Sequence, residues 1–155
     1  MSNILGFFLA QTYVFFISFV SKFAMDRVAL HEWYDYLQKP FLTPNPKIFA
    51  FVWPALYFLI GLSCYLFFKE NFFKKRFLFL IHFIHMLLNA SWTYVFFLCR
   101  NIFGGVVVIA FMIATLLLFI FYAVKKDSIA IVPLIPYCCW IFYAFYLNLE
   151  LWRLN

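Results

Sequence analysis

Long uninterrupted stretches of apolar residues, separated by short charged breaks, dominate this sequence. Five such runs contain no Asp, Glu, Lys or Arg, and each has 18 to 23 residues. A helix needs about 20 apolar residues to cross the hydrocarbon core of a bilayer, so every run is long enough to span it. The predicted spans cover residues 4–21, 48–68, 77–99, 102–124 and 129–149.

The spans are predicted to be helices rather than barrel strands. Backbone polar groups in lipid must be satisfied internally, which leaves helices and closed barrels. Barrel strands alternate apolar and polar residues, and these runs do not. The fold expected is therefore an all-α integral membrane protein, a bundle of five transmembrane helices in one domain over residues 1–155. Its one long connection is residues 22–47, and loops of such length usually carry function.

Composition supports a membrane protein and excludes several other classes. Hydrophobic residues make up 68% of the chain and charged residues 12%, against roughly 45–50% and 25% in soluble domains. A disordered chain, a coiled coil, a soluble enzyme domain and a nucleic-acid-binding domain are excluded. The net charge of +6 comes from 12 Lys and Arg at the ends of the runs, where they anchor to headgroups. They divide six against six between the two faces, so the positive-inside rule leaves the orientation open.

Cysteines and histidines offer little sign of a metal site. The four cysteines include no CxxC pair, and Cys138 and Cys139 are adjacent, so neither zinc nor a disulfide framework is expected. His82 and His85 are three apart without a carboxylate or cysteine beside them in the span. Packing or ring hydrogen bonding is favoured for them over metal or haem ligation. The first run lacks a basic region and a cleavage site, which predicts a retained helix.

Polar and aromatic residues fall on stripes of helical spacing in three spans. Two interpretations of these stripes stay open. Tryptophans near span ends commonly belong to interfacial belts, although Trp140 lies near the middle of its span. Asn89 is either a contact between helices or a ligand contact. The stripes comprise Trp53, Tyr57 and Gly61 in the second span; His85, Asn89, Trp92 and Phe96 in the third; and Tyr137, Trp140, Ala144 and Asn148 in the fifth.

Three sequence blocks resemble one family. Residues 33–57 contain Trp-Tyr-x-x-Leu-x-Lys-Pro, then Phe-x-x-Val-Trp-x-x-Leu-Tyr. Residues 88–97 read Leu-Asn-x-x-Trp-Thr-x-Val-Phe-Phe, and residues 136–148 read Pro-Tyr-x-x-Trp-x-x-Tyr-Ala-x-x-Leu-Asn. In this order and spacing the blocks resemble the TspO/MBR family of tryptophan-rich sensory proteins, which includes the mitochondrial translocator protein, or peripheral benzodiazepine receptor.

The resemblance implies a five-helix bundle, commonly a homodimer, with a pocket roofed by the loop after the first helix. The implied ligands are porphyrins such as protoporphyrin IX or haem, sterols and synthetic aromatic amides. Trp53 and Trp140 match tryptophans implicated in porphyrin chemistry. If light- and oxygen-dependent porphyrin breakdown occurs, they would act as electron or radical partners. The ligand-binding residues implied are Tyr34, Trp53, Asn89, Trp92, Trp140 and Ala144.

The function expected is binding of a tetrapyrrole or similar flat apolar ligand within the membrane, for its sensing, regulation or disposal. The alternatives are a small transporter of porphyrin or another apolar solute, and a structural membrane protein without a ligand. Enzymatic activity is left open, and no resident cofactor or metal is expected. The partners expected are the lipid bilayer, the ligand and a second copy of the chain. The implied location is a bacterial envelope membrane or the mitochondrial outer membrane.

The long loop departs from the family pattern. Two expected tryptophans are absent at Leu42 and Lys47, and Asn45 splits an expected Pro-Pro pair. His85 stands where glutamine is usual. The sterol consensus of animal members is not matched near the end of the fifth run. Lys39 or Lys47 is expected to meet porphyrin carboxylates at the water boundary, with interfacial snorkelling as the alternative.

Overall fold

The computed structural model describes residues 3–26, 30–69, 75–125 and 129–155, with the side chains of all of these except 3, 22–26 and 30–32. These residues are almost entirely helical and include no strand. A π-helical turn, Tyr94–Leu98, continues α4, and a 3-10 helix, Ile129–Leu134, leads into α6. The α-helices in the described part are α1 (Asn3–Asp26), α2 (Leu30–Tyr36), α3 (Pro46–Phe68), α4 (Arg76–Thr93), α5 (Ile102–Val124) and α6 (Ile135–Leu154).

The predicted five-helix membrane fold is confirmed. Five helical segments of the described chain are long and apolar enough to cross a bilayer, and they coincide with the five predicted runs. The fifth helix continues to Leu154, beyond the predicted end at residue 149. Its added turn carries Glu150 and Arg153, which pair with each other at 2.9 Å. The long connection also contains helix α2, and α1 extends beyond the first apolar run to Asp26.

Asparagine caps begin two of the spanning helices. Asn45 accepts a hydrogen bond from the Lys47 backbone N–H at 2.9 Å, and Pro46 follows in the first helical turn. Asn101 accepts from the Gly104 N–H at 2.7 Å at the start of α5. Each cap satisfies a backbone donor that the helix cannot pair internally. Arg100, with φ of 51°, reverses the chain between α4 and α5.

The spanning helices form a ring in the order α1, α3, α6, α5, α4. Helix α1 packs against α3 and α4, and α5 packs against α4 and α6. The ring closes chiefly where the 3-10 helix packs against α3, and α3 touches α6 itself only weakly. The Ser63 hydroxyl donates to the Ala130 carbonyl at 2.6 Å, which joins the two elements. This closure lies at the end of the bundle away from the loop.

The outer surface of the bundle is apolar. Phe16, Phe51 and Phe111 are 65%, 78% and 58% exposed, respectively. An apolar surface of this extent does not occur on a soluble monomer. Contact with lipid hydrocarbon therefore explains why so many phenylalanines point outwards.

A glycine allows α1 and α3 to approach closely. A Cβ atom added to Gly61 would overlap the Oε1 atom of Gln11. The Gln11 side chain is buried, and its Nε2 donates to the Phe58 carbonyl at 3.1 Å. The amide of α1 therefore lies directly over the glycine and bonds to the backbone of α3.

We expect Gly61→Ala to lower the free energy of unfolding by about 0.5–1.5 kcal/mol, the usual contribution of one hydrogen bond. The added methyl group must displace the Gln11 amide and break its bond to Phe58. Denaturant unfolding in detergent, followed by circular dichroism, measures the change. In a Gln11→Ala background the same substitution should be nearly neutral. An equal loss in both backgrounds would contradict the proposed clash.

Candidate functional site

A groove lies between α3 and α6 in the half of the bundle nearer the long loop. It has a volume of about 470 Å³, within the range of about 300–1,000 Å³ typical of small-molecule sites. The groove forms because the ring closes most tightly at the far end, where Ser63 bonds to Ala130, and α3 and α6 lie less closely together nearer the loop. It is lined by Val52, Leu56, Pro136, Cys139, Trp140 and Tyr143.

Aromatic rings surround Trp140 at this groove. The rings of Phe49, Trp53 and Tyr143 lie edge-on to it, with centroids at 5.5, 6.4 and 5.6 Å. Edge-to-face pairs of this kind stabilise by about 0.5–1.5 kcal/mol beyond area burial. The Nε1 atom of Trp140 is buried and has no hydrogen-bond partner within the described residues. The groove therefore offers an apolar aromatic surface.

The loop between α2 and α3 is fastened to α6 at two points. The Tyr143 hydroxyl donates to the Leu42 carbonyl at 2.6 Å. The Gln38 backbone N–H donates to Asn155 Oδ1 at 2.9 Å, and Asn155 Nδ2 donates back to the Gln38 carbonyl at 3.1 Å. Pro40, between these two contacts, is buried. The loop thus covers the end of the bundle, and the groove opens sideways.

The two loop lysines differ in their contacts. The ammonium of Lys39 donates to the carbonyls of Tyr34 and Asp35 at 2.8 and 3.1 Å, and it lies 4.7 Å from the centre of the Tyr34 ring. These bonds add a side-chain donor to the last carbonyls of α2, of which that of Tyr34 also accepts from the Leu37 N–H at 3.3 Å. Lys39 is therefore a cap for α2, whereas Lys47 is exposed in the first turn of α3.

A second aromatic cluster joins α2 to the end of α4. Trp92 stacks on Phe96 at 5.2 Å and 18°, and its Nε1 donates to Asn148 Oδ1 on α6 at 3.2 Å. The π-helical turn carries the two phenylalanines that α2 meets. Burial raises the pKa of Tyr34, and the charge of Asp35 adds to the effect. The second aromatic cluster consists of Trp33, Tyr34, Trp92, Phe96 and Phe97.

A polar chain of four buried side chains crosses the bundle interior. The Tyr57 hydroxyl donates to Asn89 Oδ1 at 2.7 Å, and Asn89 Nδ2 donates to the Tyr137 oxygen at 3.1 Å. The Tyr137 hydroxyl lies 2.7 Å from His85 Nε2. His85 Nδ1 lies 3.1 Å from the Met112 carbonyl oxygen. Both nitrogens of His85 and both polar ends of Asn89 are therefore engaged within the protein.

The predicted ligand-binding residues fall into separate places. Trp140 lines the groove and Trp53 contacts it edge-on, whereas Tyr34 and Trp92 belong to the second aromatic cluster. Asn89 belongs to the polar chain, where the amide bonds two tyrosines.

The remaining predicted residue is Ala144, and two residues at the groove were not predicted. Ala144, which was predicted, is half-buried on α6, and its carbonyl accepts a bond from Asn148 Nδ2 at 3.1 Å. Phe49 and Tyr143 contact Trp140, but the sequence analysis did not assign them to the site. Tyr143 lies three residues after Trp140, so helical spacing could have identified it. Within the described part of the chain, no three His, Cys, Asp or Glu residues come together as a metal site.

Comparison with known proteins agrees with this architecture. The family model of the TspO/MBR family matches residues 8–153. The tryptophan-rich protein TspO of Archaeoglobus fulgidus is 32% identical over 99% of both chains. That of Bacillus cereus is 31% identical over 99% of this chain and 97% of its own. The tryptophan-rich sensory protein of Cereibacter sphaeroides is 31% identical over 80% of this chain and 77% of its own. The chain is therefore a multi-pass membrane protein that belongs to the TspO/MBR family.

Proposed function

We propose that this protein binds a tetrapyrrole such as protoporphyrin IX in the groove between α3 and α6. The observation that carries the proposal is the position of Trp140, which faces the groove with Phe49, Trp53 and Tyr143 around it. A porphyrin is a large flat apolar ring that can pack against such a surface. Lys47 places a cation at the loop end of α3 for a ligand carboxylate. Binding of this kind suits sensing, regulation or disposal of the ligand.

The sideways opening of the groove also supports an apolar ligand. The groove lies within the spanning parts of α3 and α6, so a ligand dissolved in the bilayer reaches it without crossing water. The apolar lining would give little specificity to a polar solute, because polar groups buried there would lose their hydrogen bonds. We therefore favour a flat, mainly apolar molecule over a polar one.

A titration tests this function. Purified protein in detergent is titrated with protoporphyrin IX in the dark while tryptophan fluorescence is followed. We expect saturable quenching, and we expect Trp140→Phe to weaken binding by up to about tenfold, since one aromatic pair contributes about 0.5–1.5 kcal/mol. Trp152→Phe is the matched control, because Trp152 is exposed at the end of α6, away from the groove. Quenching that does not saturate, or equal weakening in both variants, would contradict the proposal.

A further inference from the structure

The hydrogen-bond directions of the polar chain follow from the groups at its end. His85 Nδ1 lies 3.1 Å from the Met112 carbonyl oxygen and 3.0 Å from the Thr115 hydroxyl, whose own proton has the Phe111 carbonyl as an acceptor at 2.9 Å. We therefore assign the imidazole proton to Nδ1, where both oxygens can accept it. In a neutral imidazole the other nitrogen, Nε2, then accepts. The Tyr137 hydroxyl therefore donates to Nε2 across 2.7 Å. Asn89 Nδ2 donates to the same hydroxyl oxygen, which is consistent with this direction.

Each groove tryptophan has a tyrosine of the polar chain beside it. The Trp53 and Tyr57 rings stack with centroids 5.4 Å apart and planes 30° from parallel. Tyr137 precedes Trp140 by three residues on α6, so their side chains are neighbours on one helix face. The two tryptophans in turn meet edge-on. Ring contacts thus connect Trp140 through Trp53 to Tyr57, and Tyr137 lies one helical turn from Trp140 in the interior of the bundle.

The two tyrosines differ in what would receive a phenolic proton. Tyrosine gives up an electron most readily when its proton leaves at the same time to a base. Tyr57 donates to the amide oxygen of Asn89, which is a poor base, whereas Tyr137 donates to an imidazole nitrogen. An oxidised Trp140 cannot readily lose its own proton, because its Nε1 is buried without a partner among the described residues.

We propose that Tyr137 and His85 form a proton-coupled electron donor to the groove tryptophans. When one electron is taken from Trp53 or Trp140, an electron passes from Tyr137 to the indole radical cation and restores it. The phenolic proton passes to His85 Nε2. The products are a neutral tryptophan, a neutral tyrosyl radical and an imidazolium. The natural oxidant is a photoexcited tetrapyrrole in the groove, which becomes a radical anion. This choice of oxidant rests on the proposed function, whereas the electron donor itself does not.

The first test needs no ligand. An ultraviolet laser flash ejects electrons from the tryptophans of the protein in detergent, and transient absorption and electron paramagnetic resonance follow the radicals. We expect a neutral tyrosyl radical that Tyr137→Phe abolishes. His85→Gln should slow its formation by about 10²-fold or more, the usual contribution of a positioned base. Tyr122→Phe is the matched control, because Tyr122 is 40% exposed on α5, outside the groove lining and the polar chain, and it should change nothing.

Three results would overturn the proposal. They are the absence of a tyrosyl radical in the wild type, unchanged formation in His85→Gln, and loss of the radical in Tyr122→Phe. Comparison of the wild type in D₂O and H₂O requires no variant. Formation should be slower in D₂O because the proton moves with the electron, and an identical rate would also overturn the proposal.

A second experiment distinguishes the proposed electron donor from the proposed binding of a tetrapyrrole. The same radicals are followed after a visible flash that excites added protoporphyrin IX. A tyrosyl radical absent from Tyr137→Phe would support both the electron donor and the ligand. A radical after the ultraviolet flash alone, together with unsaturable quenching in the titration, would support the electron donor and reject the tetrapyrrole as the ligand.

Discussion

Asn89→Leu should lower the free energy of unfolding by about 1–3 kcal/mol, the penalty for leaving buried polar groups without partners. The substitution removes the amide oxygen that accepts from Tyr57 and the amide nitrogen that donates to Tyr137. Asn89 is only 3% exposed and Tyr137 is fully buried, so water cannot easily replace either bond. Hydrogen bonds between membrane helices average only about 0.6 kcal/mol, and the larger loss is expected because two contacts are broken at once.

A double variant distinguishes lost hydrogen bonds from altered packing. Tyr57→Phe removes the hydroxyl that loses its Asn89 acceptor in Asn89→Leu, and removing both partners of a bond costs less than removing one. The double variant should therefore be more stable than the sum of the single losses predicts. Unfolding in mixed detergent micelles, followed by circular dichroism, gives the required free energies. Additive losses, or a single variant as stable as the wild type, would show that the polar chain contributes no stability.

The membrane-spanning helices could be predicted because a helix in lipid makes a simple demand on the sequence. A helix in lipid needs about 20 apolar residues and no uncompensated charge, and each run meets that requirement in the sequence alone. The exception lies at the end of α6. Counting ended at the first charge, Glu150, but Arg153 neutralises it one turn later at 2.9 Å. The i, i+3 spacing of Glu150 and Arg153 already predicts this surface pair, but an apolar run predicts only the part of a helix that lies in lipid, and α6 continues beyond it.

Helical stripes identified important residues but not their partners. Spacing places Trp53 and Tyr57 on one face of α3, and they do stack there. Spacing within one helix says nothing about which neighbour that face meets. The contacts of Trp92 with Phe96 and Asn148, and those of Trp53 with Tyr57 and Trp140, therefore appear only in the folded structure. The rotation and order of the helices come from packing across the whole ring.

No sequence pattern predicts the contacts between the loop that joins α2 to α3 and helix α6. Tyr143 bonds the backbone carbonyl of Leu42, and any residue at that position would present the same carbonyl. The reciprocal bonds between Gln38 and Asn155 join residues 117 positions apart. Contacts to the backbone over such separations depend on the folded path of the chain. The substitution of leucine for the expected tryptophan at position 42 therefore leaves this fastening intact.

Cys139→Trp should weaken the binding of protoporphyrin IX by about 5- to 150-fold, because overfilling a packed site costs about 1–3 kcal/mol. Cys139 lines the groove and is exposed, so an indole there would occupy space that the ligand needs without disturbing buried contacts. Phe111→Trp is the matched control, since Phe111 is 58% exposed on α5. It adds an indole to the lipid-facing surface and should leave the affinity unchanged in the same fluorescence titration.

The same titration decides between the two aromatic regions of the protein. A ligand in the groove meets the side chain at position 139, whereas a ligand in the second aromatic cluster depends on Trp92, which stacks on Phe96. Trp92→Phe should therefore have little effect on affinity if the groove is the site. Weaker binding in Trp92→Phe, with no change in Cys139→Trp, would move the ligand beneath α2. Because Trp140 lines the groove and Trp53 packs against it, that result would also separate the ligand from the electron path that we propose.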